Sequence, residues 1–213
     1  MHPDLCPPAE EVRVLEGGLQ APQPSLVALG YGAALATTRF GYPTLERWCL
    51  WVEPDATSPH IQGRWLKRWS SSVDAAIAAW AEVIPITRVT ERERAQIQVF
   101  RRRPPRRQLA SGWRASNGRS TLHLEEVKRK GLWELEPRVE VMVSPELRAP
   151  VLQAAALHEL GHAFGLWGHS DQPDDAMAVS QGVNPVQALT ARDLATLGWL
   201  RAQGGGFGRP LPE

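Results

Sequence analysis

A mixed α+β domain is what the sequence predicts, on three observations. Apolar residues recur at three- and four-residue steps over residues 65–84. They alternate with polar residues in several short runs before and after that segment. Helical spacing then returns in two later segments. The chain has 213 residues, 43% apolar and 22% charged, enough for one domain with a sizeable core. Its formal net charge of +1 argues against a strong overall pull on nucleic acid, and no apolar run is long enough to span a bilayer.

In chain order, residues 1–43 are rich in Pro and Gly ("CPPAE", "EGGLQAPQP") and read as an N-terminal extension, a candidate pro-segment. The run "LVALGYGAALA", residues 26–36, has the length of a signal-peptide core. It follows Asp4, Glu10, Glu11 and Glu16, however, with Arg13 the one basic residue among them. It therefore reads as a docked segment, and the expected location is cytoplasmic. "RWCLWVE" predicts a first strand with a turn at Pro54. Trp65, Trp69, Val73, Ala76, Ile77, Trp80 and Ile84 predict a long amphipathic helix that Pro85 ends. Strands are expected at residues 86–90 and 95–100, the second with Gln96 and Gln98 on a wet face. "RRRPPRR", residues 101–107, reads as a solvated loop, the alternative being contact with an anionic partner. "STLHLEE" and "RVEVMVS" are further strand candidates, closed by Pro145. Residues 147–164 predict a second helix. "TARDLATLGWLRA" predicts a third, with Thr190 as N-cap, Asp193 three residues on, and Leu194, Leu197 and Leu200 as an apolar stripe. The domain is expected over residues 44–204, with 205–213 as a tail.

The chemistry concentrates in "HELGHAFGLWGHS", residues 158–170. His158 and His162 are four apart on the second helix, so both imidazoles share a face and can meet one zinc ion. Glu159 follows the first ligand directly. There it can take a proton from zinc-activated water and return it to a leaving amine. Leu157, Leu160 and Phe164 back the motif with apolar side chains. Gly165 stands where a left-handed C-cap would stop the helix and turn the chain back.

These residues resemble the metzincin zinc peptidases, and among them the matrixins. The likeness runs over about residues 45–203. The resemblance implies a twisted, five-stranded, mostly parallel sheet with two long helices above a cleft, and a Met-turn and C-terminal helix below it. It implies one catalytic Zn2+ held by His158, His162 and His169, Glu159 as general base and acid, and Met177 as the methionine of the Met-turn. His169 lies four residues after Gly165 instead of three, because "LWG" intervenes. Asp171 and Asp174 are the acidic alternatives to it. Ala178 stands where some metzincins carry a tyrosine ligand, and the chain has no matrixin-type glycine-rich calcium loop.

The activity so implied is zinc-dependent endopeptidase hydrolysis of a peptide or protein by a monomer. The alternatives are a zinc hydrolase or maturase with a narrow or non-protein amide substrate, and a metal-binding module without turnover. Leu157, Trp167 and Val179 are candidates for the substrate pocket, with loop filling as the other role for Trp167. His123 could flank the cleft or be an ordinary exposed histidine. Cys6 is the candidate for a latency ligand by analogy with matrixin pro-segments, although its flanking residues do not match theirs; otherwise it is a free thiol. Cys49 reads as a small buried apolar residue of the first strand.

Overall fold

Trp69, Val73, Ala76, Ile77 and Trp80 are buried along one face of helix α1, Gly63–Ala81. Helix α2, Ala149–Ala163, is apolar almost all round, so it is buried on most sides, against α1 and the sheet. Two indole N–H groups stitch the layers: Trp69 donates to the Val143 carbonyl at 3.1 Å and Trp80 to the Leu157 carbonyl at 3.0 Å. A buried indole needs such a partner, because leaving the donor unmade costs about 1–3 kcal/mol. The computed structural model describes residues 5–22, 27–55, 63–109, 112–114, 116–180 and 184–211.

The strands are β1 Glu11–Leu15, β2 Trp48–Val52, β3 Ile86–Arg88, β4 Ile97–Phe100, β5 Arg107–Leu109, β6 Gly112–Arg114, β7 Gly118–Arg129 and β8 Leu132–Val143. Six of them form one mixed sheet in the order β1-β7-β8-β4-β2-β3. Strands β3, β2, β4 and β8 run parallel, while β7 and β1 are antiparallel to their neighbours. β5 and β6 pair separately as a short antiparallel hairpin. The fold is mixed α+β as expected. The expected five-stranded, mostly parallel sheet becomes a six-stranded mixed one.

The added strand is β1. It falls inside the segment read as an extension, so the strand pattern begins at Glu11 and not near Arg47. Its side chains are almost all exposed, which removes the burial signal that marks a core strand. It is held by ladder bonds to β7 and by Glu11–Lys128 and Arg13–Glu126 ion pairs at 2.9 and 3.9 Å. Further along, Tyr31 and Leu35 are buried in the main core. Leu26, the first residue of the apolar run, lies outside the described residues. The expectation of a docked segment holds for residues 27–36 in that its Tyr31 and Leu35 are core residues.

Cys6 and Cys49 form a disulfide that closes a separation of 43 residues. This corrects two expectations together. Cys6 is neither a free thiol nor a ligand in reach of the histidines, and Cys49 is buried but covalently engaged.

The wet face expected for β4 is also covered. Gln96 accepts from the Cys49 backbone N–H at 2.9 Å and donates to Glu136 at 3.1 Å. Gln98 accepts from Arg92 at 2.7 Å. Alternation gave the right period; the amides are buried because hydrogen-bonded partners lie over them. The β7–β8 hairpin turns at Lys130 and Gly131, both at positive φ (51° and 79°), the pairing a tight two-residue hairpin turn requires. Helix α3, Ala191–Ala202, starts at the predicted capping box: Thr190 accepts from the Asp193 N–H, and Asp193 accepts from the Thr190 N–H.

Candidate metal centre

His158 and His162 lie in the last turns of α2, and the way that helix ends sets the site. Gly165 has φ +107°. The Leu166 N–H reaches back to the Gly161 carbonyl at 3.0 Å and the Gly165 N–H to the His162 carbonyl at 2.9 Å, the bond pair of a Schellman cap. The expected C-cap role of Gly165 is therefore met. A side chain there would strain the backbone and press on Thr44, Leu200 and the Pro43 carbonyl, all 3.1–3.2 Å from a Cβ. The turned chain brings the Leu166 carbonyl to His162 Nδ1, 2.8 Å away.

Beyond this turn, "LWG" carries the chain to His169. One ring nitrogen from each of His158, His162 and His169 lies within 4.8 Å of the other two. The ring centres form a nearly equilateral triangle of 4.8, 5.0 and 5.2 Å. A nitrogen about 2.0–2.1 Å from zinc puts its ring centre roughly 3.2 Å from the metal, and tetrahedral angles then set ring centres about 5.2 Å apart. The triangle matches that spacing, so these three histidines can hold a metal ion. The four-residue spacing from Gly165 to His169 thus brings the third imidazole to the other two. Asp171 and Asp174 are exposed and lie outside this group; Asp171 pairs with Arg192 at 2.7 Å.

The donor chemistry agrees with the spacing. His158 Nδ1 lies 2.9 Å from the Ala176 carbonyl. A carbonyl only accepts, so His158 and His162 each carry the proton on Nδ1 and leave Nε2 as the lone-pair nitrogen. Fixing the tautomer through an outer hydrogen bond is how metal-ligating histidines are usually oriented. Burial pushes the His158 pKa down to about 4, partly opposed by the bond to Ala176. Burial also holds His162 well below the usual histidine value and lowers His169. All three are neutral at pH 7, the form a metal requires.

Met177 is fully buried in the turn after His169. Its carbonyl accepts the Ser170 N–H at 2.8 Å, and Ala178 bonds back to Asp175 at 3.1 Å. Its sulfur packs against Gly161, where an added Cβ would come within 2.2 Å of Sδ. The methionine thus packs against the histidine-bearing helix. Asp193, fully buried, ties this turn down: one carboxylate oxygen accepts the Ala176 N–H at 3.0 Å and the other the Tyr31 hydroxyl at 2.7 Å. Asp193 and the Ala176 peptide therefore connect the N-terminal segment to His158. The sequence showed Asp193 as a helix cap; its reach to residues 31 and 176 left no local signature.

Glu159 is buried and faces β7. Ser120 Oγ lies 2.8 Å from Glu159 Oε2 and 2.9 Å from its backbone carbonyl. Gly118 packs on the same side chain, with a hypothetical Cβ only 2.5 Å from Glu159 Cγ. Sequence reasoning did not find Ser120 or Gly118, which stand about 40 residues before the motif in an ordinary-looking strand.

The remaining candidates separate clearly. Trp167 stacks on His162 with ring centres 5.6 Å apart and planes 15° apart, so it backs a candidate ligand. Leu157 is fully buried in the main core and is corrected from pocket wall to core residue. Val179 is exposed. His123 is exposed on β7 and is not part of the histidine cluster. No protein-family model matches the chain, and no curated protein matches it in sequence.

Proposed function

We propose that the chain is a zinc-dependent endopeptidase. The observation that carries the reading is the convergence of three histidine ring nitrogens, with the buried carboxylate of Glu159, the residue after His158, held from a separate strand. The motif's resemblance to the metzincins, with Met177 packed against the helix, supports the same reading. His158, His162 and His169 would hold the ion; three imidazoles without thiolate suit zinc and leave a position open. Bound there, zinc supplies Lewis acidity, lowering the pKa of water and polarising a carbonyl.

Glu159 is the proton carrier. Its carboxylate takes a proton from the attacking water and returns it to the leaving amine. Ser120 and Gly118 hold that carboxylate in one orientation. β1 pairs only with residues 124–128 of β7, so residues 118–123 have no strand on their outer side among the described residues. A substrate backbone can add to that edge and so pass beside Glu159.

The Cys6–Cys49 disulfide supports an oxidising compartment and argues against the cytoplasmic expectation. Among the described residues no helix is long and apolar enough to cross a membrane.

The test is hydrolysis of a mixed peptide library by zinc-loaded full-length chain and by Glu159→Gln. Cleavage should fall by about 10²–10⁴-fold in the variant, the usual contribution of general acid–base catalysis. Wild-type protein with one zinc bound that cleaves no peptide, or a Glu159→Gln variant as fast as wild type, would overturn the proposal.

A further inference from the structure

The arginine-rich stretch read as a solvated loop lies next to this edge. Residues 101–119 contain seven arginines and no acidic residue, in a chain whose net charge is only +1. Part of that charge is compensated. Arg101 is buried and bonded to Asp55, and Arg103 pairs with Glu146 at 3.4 Å. Arg102, Arg106 and Arg119 have no acidic partner among the described residues.

Their placement follows from strand register. Gly118 and Ser120 face Glu159, so Arg119, between them, projects to the opposite face of the sheet. There it donates to the Pro105 carbonyl at 2.6 Å, which docks the arginine loop onto the start of β7 beside Arg106. Across the sheet Arg119 is in register with Met142, and Met142 with Phe100. Arg102 sits over the Phe100 ring, 5.2 Å from its centre. Arg119 and Arg102 therefore lie at one end of the sheet face turned away from Glu159, and exposed Arg106 follows the docked Pro105 in the chain.

We propose that Arg119, with Arg106 and Arg102 behind it, forms a cationic subsite that selects an acidic residue in a peptide added to the β7 edge. The inference rests on the endopeptidase reading and on strand addition at that edge. A residue opposite Arg119 in an added strand has its side chain on the same face, with Cβ atoms about 4.5–5.5 Å apart, so a Glu or Asp there meets the guanidinium directly. The Thr121 and His123 positions, two and four residues on, carry no fixed positive charge. Selection is accordingly strongest at one substrate position.

The experiment compares decapeptides differing only by Glu against Gln, scanned through each position, with zinc-loaded full-length chain. One position should prefer Glu by about two- to fivefold from Arg119, and by roughly tenfold with all three cations, as expected for exposed charge pairs. The preference should fade at 1 M salt, where the screening length is about 3 Å. Arg119→Gln should cut the Glu-over-Gln ratio of kcat/KM by about two- to fivefold, the remainder coming from Arg106 and Arg102. Arg119→Lys should retain part of the preference. Arg106→Gln leaves the Pro105 contact intact and should lose a smaller share. Equal cleavage of Glu and Gln peptides at every position, or an equal loss on both in Arg119→Gln, would overturn the subsite.

A second arm separates this from the activity itself: fluorescence anisotropy of the same peptides on zinc-loaded Glu159→Gln protein. Arg119-dependent preference for the Glu peptide without wild-type hydrolysis would sustain the subsite and defeat the endopeptidase reading. Binding without preference would defeat the subsite.

Discussion

Removing the disulfide by Cys6→Ser tests whether the N-terminal segment is part of the folded unit or an inhibitory appendage. The bond closes a separation of 43 residues. Restricting an unfolded loop of that length removes about 13 cal/mol/K of chain entropy, or about 4 kcal/mol at 25 °C. Domains are commonly stable by about 5–15 kcal/mol, so the loss is a large share of the total. For 213 residues at about 2.1 cal/mol/K each, 4 kcal/mol corresponds to a fall in Tm of about 9 °C. The cost in the folded state is concentrated in β1 and residues 31–36. Tyr31 donates to Asp193, and the Ala36 N–H donates to the Trp167 carbonyl at 2.8 Å, beside His162. Urea unfolding with and without reductant measures the effect: wild type in reductant should behave like Cys6→Ser in oxidant. Peptide hydrolysis by Cys6→Ser should equal or fall below that of wild type. A variant of unchanged stability that cleaves faster would refute this reasoning and revive latency through Cys6.

Two further outcomes follow from the site. Gly161→Ala gains about 1 kcal/mol of helix propensity but forces Met177, Sδ 2.2 Å from the new carbon, into a filled core. Overpacking costs about 1–3 kcal/mol, so the net is a loss, and Met177→Ala should partly rescue it in a double-mutant cycle of urea midpoints. Metal-free protein should lose stability on acidification. The unfolded His158 takes a proton below its ordinary value of 6.5 while the folded one, at about 4, does not. The loss therefore begins as pH falls past 6.5, grows to about 3 kcal/mol, and levels off below about 4. Urea midpoints that do not change between pH 7 and 4.5 would contradict the burial of His158.

What could be read in the sequence was what repeats locally or recurs at fixed spacing. The Trp65–Trp69–Trp80 pattern located α1, Thr190 and Asp193 located the start of α3, and Gly165 located the helix stop that releases His169. Features set by pairs distant along the chain had no such signal. Cys6 and Cys49 are joined because folding brings their Cα atoms within 5.9 Å, a distance no spacing rule supplies. Ser120 reaches Glu159 because β7 runs beside α2, and Asp193 reaches Tyr31 across 162 residues. β1 escaped because an edge strand exposed on both faces lacks the half-buried alternation by which strands are recognised. Gln96 and Gln98 misled for the opposite reason: polar side chains mark a strand face as wet unless hydrogen-bond partners arrive from elsewhere.

The central claim is that His158, His162 and His169 together bind one metal ion. Competitive zinc titration of the full-length chain, with metal content measured on the same preparation, tests it most directly. Wild type and Glu159→Gln should each bind one equivalent with similar affinity, and Asp171→Asn should match them. His169→Ala should bind at least about 100-fold more weakly, beyond the 10–100-fold cost of losing an outer hydrogen-bond partner. Wild-type protein that binds no zinc, or a His169→Ala variant that binds it as tightly as wild type, would contradict the account.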